Sequence, residues 1–244
     1  MSFEGITFIP KPDLNPAKIV VFSGAGLSAP SGLRTFRDSG GLWEQYRFED
    51  VATPEAWARQ PEVVLDFYNQ RRTQARAALP NAGHRAIAEL ERHYEVVVVT
   101  QNVDDLHERA GSTQVIHVHG ELTKARSTTD SSLIFEIGDK PIRLGDRCPK
   151  GSQLRPHIVW FGEAVPKIEE ALPVVQQADI FIVVGTSLVV YPAAGLINYT
   201  GYEVPKWLID PDDMPLPRIP NLKFIKEKAS TGVDYLVEKL LANA

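Results

Sequence analysis

An amide and a carboxylate, Asn102 and Asp104, stand directly after the β-branched run at residues 95–100. Together they offer a hydrogen-bond donor, an acceptor and a negative charge. Such a set could hold a carboxamide and polarise a leaving group. A helix cap followed by solvated acids would explain the same residues without chemistry, and this alternative stays open.

Two histidines alternate with apolar residues in the segment 115–120, a pattern that predicts a strand with His117 and His119 on one face. An imidazole can act as a general base near neutral pH, and Gly120 keeps the space beside His119 open for a ligand. Taken alone, each histidine is more often a hydrogen-bonded structural residue. A zinc pair is conceivable, but we expect no carboxylate or cysteine partner at a useful spacing.

A glycine turn formed by Gly24, Ala25 and Gly26 follows the apolar run at residues 18–23. Such a turn lets backbone N–H groups approach a pyrophosphate at the start of a helix. The third glycine of the usual dinucleotide fingerprint is missing at its spacing, which argues against an ordinary dehydrogenase. Arg37 adds a second potential phosphate donor to the loop. A tight turn that binds no ligand is the alternative.

Four nearly continuous apolar runs predict parallel strands covered on both faces. These runs are residues 18–23, 95–100, 179–185 and 204–209. Helical spacing is found between them and near the end of the chain, in residues 84–93, 103–110, 166–178, 192–200 and a last helix from Thr231. The alternation predicts an α/β fold, a Rossmann-like doubly wound parallel sheet.

Two stretches break this alternation. Residues 38–80 have a helical pattern, and residues 123–157 are polar with one strand-like piece at 133–137. We expect both to form a smaller inserted module within a single catalytic domain spanning residues 1–244. The Rossmann-like part would comprise about 14–37, 81–122 and 158–244, and the small module about 38–80 and 123–157.

The composition is that of an ordinary globular protein, with 43% hydrophobic residues, 23% charged residues and a formal net charge of −5. This charge gives no overall attraction to nucleic acid or to an anionic membrane, so we expect neither partner. No apolar run approaches the ~20 residues of a membrane span, and the first residues do not resemble a secretory signal. The single cysteine, Cys148, fits a reducing compartment, so we expect a cytoplasmic protein.

Taken together, these segments resemble the sirtuins, the NAD-dependent protein deacylases, from about residue 18 to residue 242. The motifs that carry the resemblance are GAGLSAPSGLRTFRD, TQNVDDLH, VHGE, RPHIVWFGE and VGTSLVVYPAAG. The resemblance implies that NAD is the cofactor and that acyl-lysine proteins are the substrates. It also implies that the products are free lysine, nicotinamide and O-acyl-ADP-ribose.

The resemblance further implies roles for individual residues. His119 would be the catalytic base, with Asn102 as the second catalytic residue. The cofactor-binding residues would be Gly24, Ala25, Gly26, Phe36, Arg37, Gln101, Asn102, Val103, Asp104, Gly185, Thr186, Ser187, Asp210 and Ala229. The substrate peptide would pair by strand addition with residues 159–163. The residues concerned are Val159, Phe161, Gly162 and Glu163.

The chain departs from the family at the small module. Most sirtuins carry four cysteines that hold a structural zinc there, whereas residues 123–157 contain only Cys148. Ser127 stands near the place of the first cysteine. Because one thiol cannot complete a tetrahedral zinc site, we expect no zinc and no other metal. The 133–137 strand and local packing would hold the module instead.

Tyr68 and Arg71 are three residues apart, so they share a face if this segment is helical. A hydroxyl and a guanidinium on one face could grip a carboxylate at the end of an acyl chain. A solvated, arginine-rich helix explains the residues equally well. The spacing is similar to the Y-x-x-R pattern of the sirtuin class that removes succinyl and malonyl groups. It favours a deacylase acting on succinyl-, malonyl- and acetyl-lysine.

Two other functions remain open at this point. The chain could transfer ADP-ribose to protein or hydrolyse NAD, since its zinc cysteines have been lost. It could also be a non-catalytic NAD sensor. The presence of Asn102, Asp104 and His119 argues against a sensor, and the Phe-Gly-Glu segment that ends at Glu163 favours deacylation.

Overall fold

The computed structural model describes residues 16–35, 46–212 and 218–242. The strands are β1 (Lys18–Ser23), β2 (Glu95–Thr100), β3 (Val115–His117), β4 (Gly120–Ser127), β5 (Ile134–Glu136), β6 (Leu154–Ile158), β7 (Ile180–Val184), β8 (Lys206–Asp210) and β9 (Leu222–Lys226). The α-helices are α1 (Ala25–Ser28), α2 (Phe48–Val51), α3 (Pro54–Arg59), α4 (Pro61–Ala77), α5 (Ala82–Glu89), α6 (Leu106–Ala110), α7 (Lys167–Gln176) and α8 (Ala229–Leu241). Short 3-10 helices cover Ala29–Ser31, Leu90–Arg92 and Ala193–Tyr199.

Six strands form a parallel sheet in the order β3-β2-β1-β7-β8-β9, which confirms the predicted α/β class. The strand order reverses between β1 and β7, as in a doubly wound fold. The central strands are buried along almost their whole length, as their continuous apolar runs predict. Strand β9 was not predicted, because only Ile225 in it is fully buried and lysines flank its core.

Helices cover both faces of this sheet. On one face Ile19 and Val21 pack into a core with residues of α5 and α8. On the other face Val20 and Phe22 pack with residues of α7 and of the 3-10 helix that follows β7. Because alternate strand residues point to opposite faces, both sides of the sheet bury apolar surface and support its carboxyl edge. No helix among the described residues is both long and apolar enough to cross a membrane.

A second, antiparallel sheet of three strands has the order β5-β4-β6. Its neighbours are α2, α3 and α4, whose apolar residues share a core with β4 and β6. Strands β4 and β6 were not predicted, because their sequences are polar and mix buried with half-buried positions. The predicted 133–137 strand is present as the shorter β5. The division into a large part and a small module at the stated residues stays a prediction.

Three predicted helices differ from those observed. Helix α6 begins at Leu106 rather than at residue 103, because the preceding residues form a loop at the sheet edge. The predicted helix at 192–200 is a 3-10 helix. Helix α8 begins at Ala229, two residues before the predicted start at Thr231, whose hydroxyl donates to the Lys228 carbonyl instead of capping the helix.

Candidate active site

The carboxyl ends of β1 and β7 meet at the point where the strand order reverses. The N–H of Gly24 donates to the Val184 carbonyl at 3.0 Å, and the N–H of Gly26 donates to the Gly185 carbonyl at 2.9 Å. A Cβ atom on Gly24 would lie 2.7 Å from the Gly185 oxygen. One on Gly185, whose φ is +62°, would lie 2.2 Å from the Leu27 nitrogen. Glycine is therefore required on both sides of this junction.

A cavity of about 740 Å³ opens at this junction, a size typical of ligand sites. It brings together most of the residues that the sequence singles out. Those that line it are Gly24, Ala25, Gly26, Tyr68, Arg71, Gln101, Asn102, Val103, His119, Val159, Phe161, Gly162, Glu163, Gly185, Thr186, Ser187, Asp210 and Ala229. Phe36 and Arg37 lie outside the described residues. Phe67 and Trp160 also line the cavity; Trp160 lies within the predicted 159–163 segment without being singled out, and Phe67 was not predicted, since nothing in its local sequence separates it from core residues.

The loop after β2 is held by hydrogen bonds at every polar position. The side-chain amide of Asn102 donates to the Gly24 carbonyl at 3.1 Å and to the Ser28 hydroxyl at 3.2 Å. The amide of Gln101 donates to the Thr186 hydroxyl at 2.9 Å and so ties this loop to the loop after β7. Three separate strand ends therefore form one polar wall of the cavity.

Asp104 lies behind this wall rather than on it. Its carboxylate accepts from the Ser28 hydroxyl at 3.1 Å and from the Leu106 N–H at 3.2 Å. Burial raises the pKa of Asp104, although these hydrogen bonds and the charges of His117 and Arg71 oppose the shift. Asp104 thus supports the start of α6 and the Ser28 turn, and its role in binding the cofactor stays a prediction.

The two histidines do not share a face, because β3 ends at His117 and His119 lies in the turn that follows. His119 lines the cavity. Burial lowers the pKa of His119, and a hydrogen bond to the backbone of Gln101 opposes this shift. The ring is therefore neutral near pH 7, the form that can accept a proton.

His117 points away from the cavity and is buried, with only 7% of its surface exposed. Its Nε2 atom lies 2.7 Å from Glu108 Oε1. We expected no carboxylate partner at a useful spacing, and for His117 this expectation is wrong. Glu108 lies on α6, so the strand pattern around His117 gave no sign of it. The two histidines have different surroundings and cannot act as a pair.

Tyr68 and Arg71 lie on α4, with only 5% and 8% of their surfaces exposed. Burial raises the pKa of Tyr68 and lowers that of Arg71. The neighbouring Arg72 is also buried, and its Nε and Nη1 atoms donate to the Leu122 carbonyl and to Asn69. The alternative of a solvated, arginine-rich helix is therefore wrong for this face of α4. Tyr68 and Arg71 share one end of the cavity.

The segment 159–163 also lines the cavity. The Val159 N–H donates to the His119 carbonyl at 2.9 Å, which fixes this segment beside the catalytic candidate. The Glu163 carboxylate accepts from Arg155 at 2.6 Å and from the Trp160 N–H at 2.8 Å. The Arg155 guanidinium in turn stacks 3.2 Å above the centre of the Trp160 ring. Glu163 therefore frames the cavity through contacts within the protein.

The residues around Cys148 do not fit a structural zinc. The Cys148 sulfur contacts the hydroxyls of Ser127 and Ser152 at 3.6 and 3.2 Å. Lys150 pairs with Asp130 at 2.8 Å beside them. Neutral hydroxyls are not the ligands that zinc takes in structural sites, and the nearby ammonium would repel a cation. The absence of zinc stays a prediction that metal analysis must test.

Comparison with known proteins finds this arrangement elsewhere. The Sir2 family pattern matches residues 24–192. A relative from Bacteroides thetaiotaomicron, named NAD-dependent protein deacylase, is 50% identical over 228 residues, which cover 91% of this chain and 97% of the relative. A mutant Sir2 homologue solved with ADP-ribose has a TM-score of 0.86 and 42% identity, covering 94% of this chain and 95% of that chain. A Sir2 homologue solved with NAD has a TM-score of 0.83 and 42% identity, covering 93% of this chain and 91% of that chain.

Proposed function

The chain belongs to the Sir2 family and is an NAD-dependent protein deacylase, and we propose that His119 serves as its general base. The observation that carries the proposal is the position of His119 in one cavity with the glycine junction, the 159–163 segment and Arg71. A dinucleotide, a peptide and an acyl chain can each reach this imidazole from a different side. A cavity built for binding alone would not require a neutral histidine at the point where these walls meet.

The residues that line the cavity fit NAD. Gly24 and Gly26 in the turn after β1 and Gly185 after β7 carry no side chains, which suits close contact with a pyrophosphate. Asp210, at the end of β8, offers a carboxylate that can accept from ribose hydroxyls. Asn102 offers an amide in the same cavity as the proposed general base, His119. When bound, NAD supplies a ribose carbon whose nicotinamide leaves as the acyl oxygen attacks. The protein orients the reactants and excludes water around them.

His119 would take a proton from the ribose hydroxyls, so that the sugar oxygen becomes a nucleophile toward the acyl carbon. Its lowered pKa keeps the ring unprotonated at neutral pH. Deacylation that depends on the neutral ring is therefore present above the pKa of His119 and is lost as the pH falls through it.

We also propose that Tyr68 and Arg71 allow the enzyme to accept succinyl- and malonyl-lysine as substrates in addition to acetyl-lysine. Both side chains are buried at one end of the cavity, where an acyl chain that enters past the 159–163 segment would end. A guanidinium in this apolar setting, among Phe67 and Trp160, binds a carboxylate more strongly than it would in water. The roles of the individual site residues, the single-domain boundaries and the cytoplasmic location are likewise predictions of the sequence.

The product distinguishes this function from the alternatives. Purified protein should convert NAD and an acyl-lysine peptide into nicotinamide, free lysine peptide and O-acyl-ADP-ribose, which mass spectrometry identifies. Free ADP-ribose would instead indicate NAD hydrolysis, and a mass increase on protein would indicate ADP-ribosyl transfer. No nicotinamide release at all would indicate a sensor.

Replacing His119 by alanine tests its role as the base. We expect His119→Ala to lower kcat by at least ~100-fold, because general-base catalysis contributes 10²–10⁴-fold. NAD binding, measured by calorimetry, should persist because the glycine junction is untouched. His93→Ala serves as the matched control, since His93 is exposed and lies outside the cavity. A His119→Ala variant with near wild-type turnover would remove His119 from this role.

A further inference from the structure

His117 is a buried histidine that the deacylation chemistry does not use, yet both of its ring nitrogens have partners. Its Nδ1 atom lies 2.8 Å from the carbonyl oxygen of Asn102, and its Nε2 atom lies 2.7 Å from Glu108 Oε1. The ring therefore connects α6 to the loop that carries Asn102. It does so from behind the cavity wall, without lining the cavity.

These two contacts together require a proton beyond those of a neutral imidazole and a carboxylate. A carbonyl oxygen only accepts, so Nδ1 must donate to Asn102. The short contact between Nε2 and Glu108 then needs a second proton, which resides on the ring or on the carboxyl group. If this proton leaves, an imidazole lone pair faces a carboxylate oxygen, and the ring can keep only one of its two partners.

The charged groups around His117 favour keeping this proton. Glu108 approaches from α6, and Glu121 approaches from β4, where Lys124 pairs with it at 2.8 Å. Lys124 also lies 3.3 Å from Glu136 of β5. Asp104 and His107 are further titratable neighbours of His117. Burial lowers the pKa of His117, but the hydrogen bond and charge of Glu108 outweigh it and raise the pKa overall.

Asn102 is the residue that His117 holds. Its backbone N–H donates to the Thr100 hydroxyl at 3.0 Å, and its side chain reaches the Gly24 carbonyl at 3.1 Å. The contact with His117 fixes its carbonyl group as well. With all three groups held, the peptide planes on both sides of Asn102 are fixed, and their orientation sets the direction of the side chain on the cavity wall.

We propose that His117 and Glu108 are positioning residues, whose shared proton holds Asn102 in the orientation that binds NAD. Neither residue lines the cavity. This inference rests on the proposed function only in taking NAD to bind beside Asn102. NAD affinity should therefore be full while the pair keeps its proton and should fall as the pH rises through the loss of that proton.

The test measures the Kd of NAD by calorimetry without peptide, between about pH 6 and pH 10. For the wild type we expect the Kd to rise about tenfold over the alkaline part of this range, the effect of losing one charge-assisted hydrogen bond. Glu108→Gln should remove this rise. The glutamine amide can donate to Nε2 of a neutral ring, while Nδ1–H keeps its bond to Asn102, so no titrating proton is needed.

Two substitutions of His117 separate positioning from packing. In His117→Asn the side-chain amide can stand near the former Nδ1 position and donate to Asn102, so NAD binding should be largely retained and independent of pH. His117→Leu keeps apolar volume but has no donor, so we expect about tenfold weaker binding at every pH. Glu89→Gln, a matched change of a half-exposed glutamate paired with Arg92, should leave the wild-type profile unaltered.

The outcomes are separable from those that test deacylation, because NAD binding requires no turnover. A wild type that binds NAD with the expected alkaline weakening but makes no O-acyl-ADP-ribose would refute the proposed function and support this inference. A Glu108→Gln variant that keeps the alkaline weakening would overturn the inference, as would His117→Leu with wild-type affinity. Should His117→Leu fail to fold, Glu108→Gln and His117→Asn alone decide the question, since each replaces one polar group by another.

Discussion

Burial sets Arg71 apart from the exposed Arg76 of the same helix, and we propose that Arg71 recognises the acyl carboxylate. An arginine remains protonated in proteins even where burial lowers its pKa, as it does here. The charges of Asp104 and Tyr68 oppose that shift. Since the surrounding wall is apolar, the field of the guanidinium at this end of the cavity is weakly screened. We expect an acyl carboxylate at this end of the cavity to be attracted by that field.

Replacing Arg71 by methionine tests whether Arg71 recognises the carboxylate at the end of the acyl group. We expect Arg71→Met to lower kcat/KM for succinyl-lysine peptides by about 10–100-fold, the effect of losing a charge-assisted bond of ~1.5–3 kcal/mol. For acetyl-lysine peptides the loss should stay within a few fold, because an acetyl group has no carboxylate. Steady-state kinetics on matched peptides measures both values.

Arg76→Met provides the control for this substitution, because Arg76 is an exposed arginine on the same helix, α4. It should leave both substrates unaffected. Equal losses on succinyl and acetyl peptides in Arg71→Met would contradict the recognition role and assign Arg71 to packing. Thermal unfolding of both variants separates a lost contact from a damaged fold.

At the scale of elements, the small antiparallel sheet is held by hydroxyl groups around Cys148. Ser127, at the end of β4, is almost fully buried and accepts from the N–H groups of Thr129 and Asp130 at 3.3 and 3.2 Å. Ser152 bonds the Thr129 hydroxyl at 2.7 Å. This network connects the end of β4 to the turn before β6, a connection that a metal could otherwise provide.

We expect Ser127→Ala to destabilise the protein by about 0.5–1.5 kcal/mol, because it removes the hydroxyl that accepts from the part-buried N–H groups of Thr129 and Asp130. Urea unfolding measures the change. Ser132→Ala, in the exposed turn of the same module, is the matched control and should change stability by less than ~0.5 kcal/mol. Metal analysis of purified wild type should find no stoichiometric zinc. One zinc per chain, or a loss of stability after chelation, would contradict this account.

The elements that the sequence predicts well are those whose burial is complete. Strands β1 and β2 could be predicted because both their faces are covered, so their apolar runs are continuous. Strand β4 could not, because its register shifts between Glu121 and Ala125, which breaks the alternation that marks a strand. The contact between His117 and Glu108 was also beyond prediction, since it joins a strand end to a separate helix. Gly185 was predicted as a cofactor-binding residue only from the resemblance, because its local sequence indicates no more than a turn.

At the scale of the whole molecule, the site exists because the parallel sheet brings distant segments to one edge. The glycine turn after β1, the polar loop after β2 and the loop after β7 all meet at the carboxyl ends of their strands. At Gly24 and Gly185 the turns after β1 and β7 lie so close together that an added Cβ atom would collide with the opposite backbone. Since both faces of the sheet are packed, neither half can withdraw at this point without disturbing its core.

Gly185→Ala therefore tests whether this junction couples folding to cofactor binding. An added methyl group would lie 2.2 Å from the Leu27 nitrogen, so the β1 turn must shift away from β7. We expect a loss of stability of about 3 kcal/mol, from positive-φ strain of ~1–2 kcal/mol and overpacking of ~1–3 kcal/mol. The rise in Tm that NAD gives the wild type should disappear, because a displaced turn no longer fits the pyrophosphate.

Gly138→Ala is the matched control, since Gly138 has a φ of +59° and no atom within 4 Å of an added Cβ. It carries the same backbone strain without the collision, so it should lose only ~1–2 kcal/mol and keep its response to NAD. Thermal unfolding with and without NAD measures both effects in one experiment. If Gly185→Ala were stabilised by NAD as strongly as Gly138→Ala, the close approach of β1 and β7 would not be what forms the cofactor site. The coupling between sheet packing and binding would then have to lie in the loops after β2 and β8.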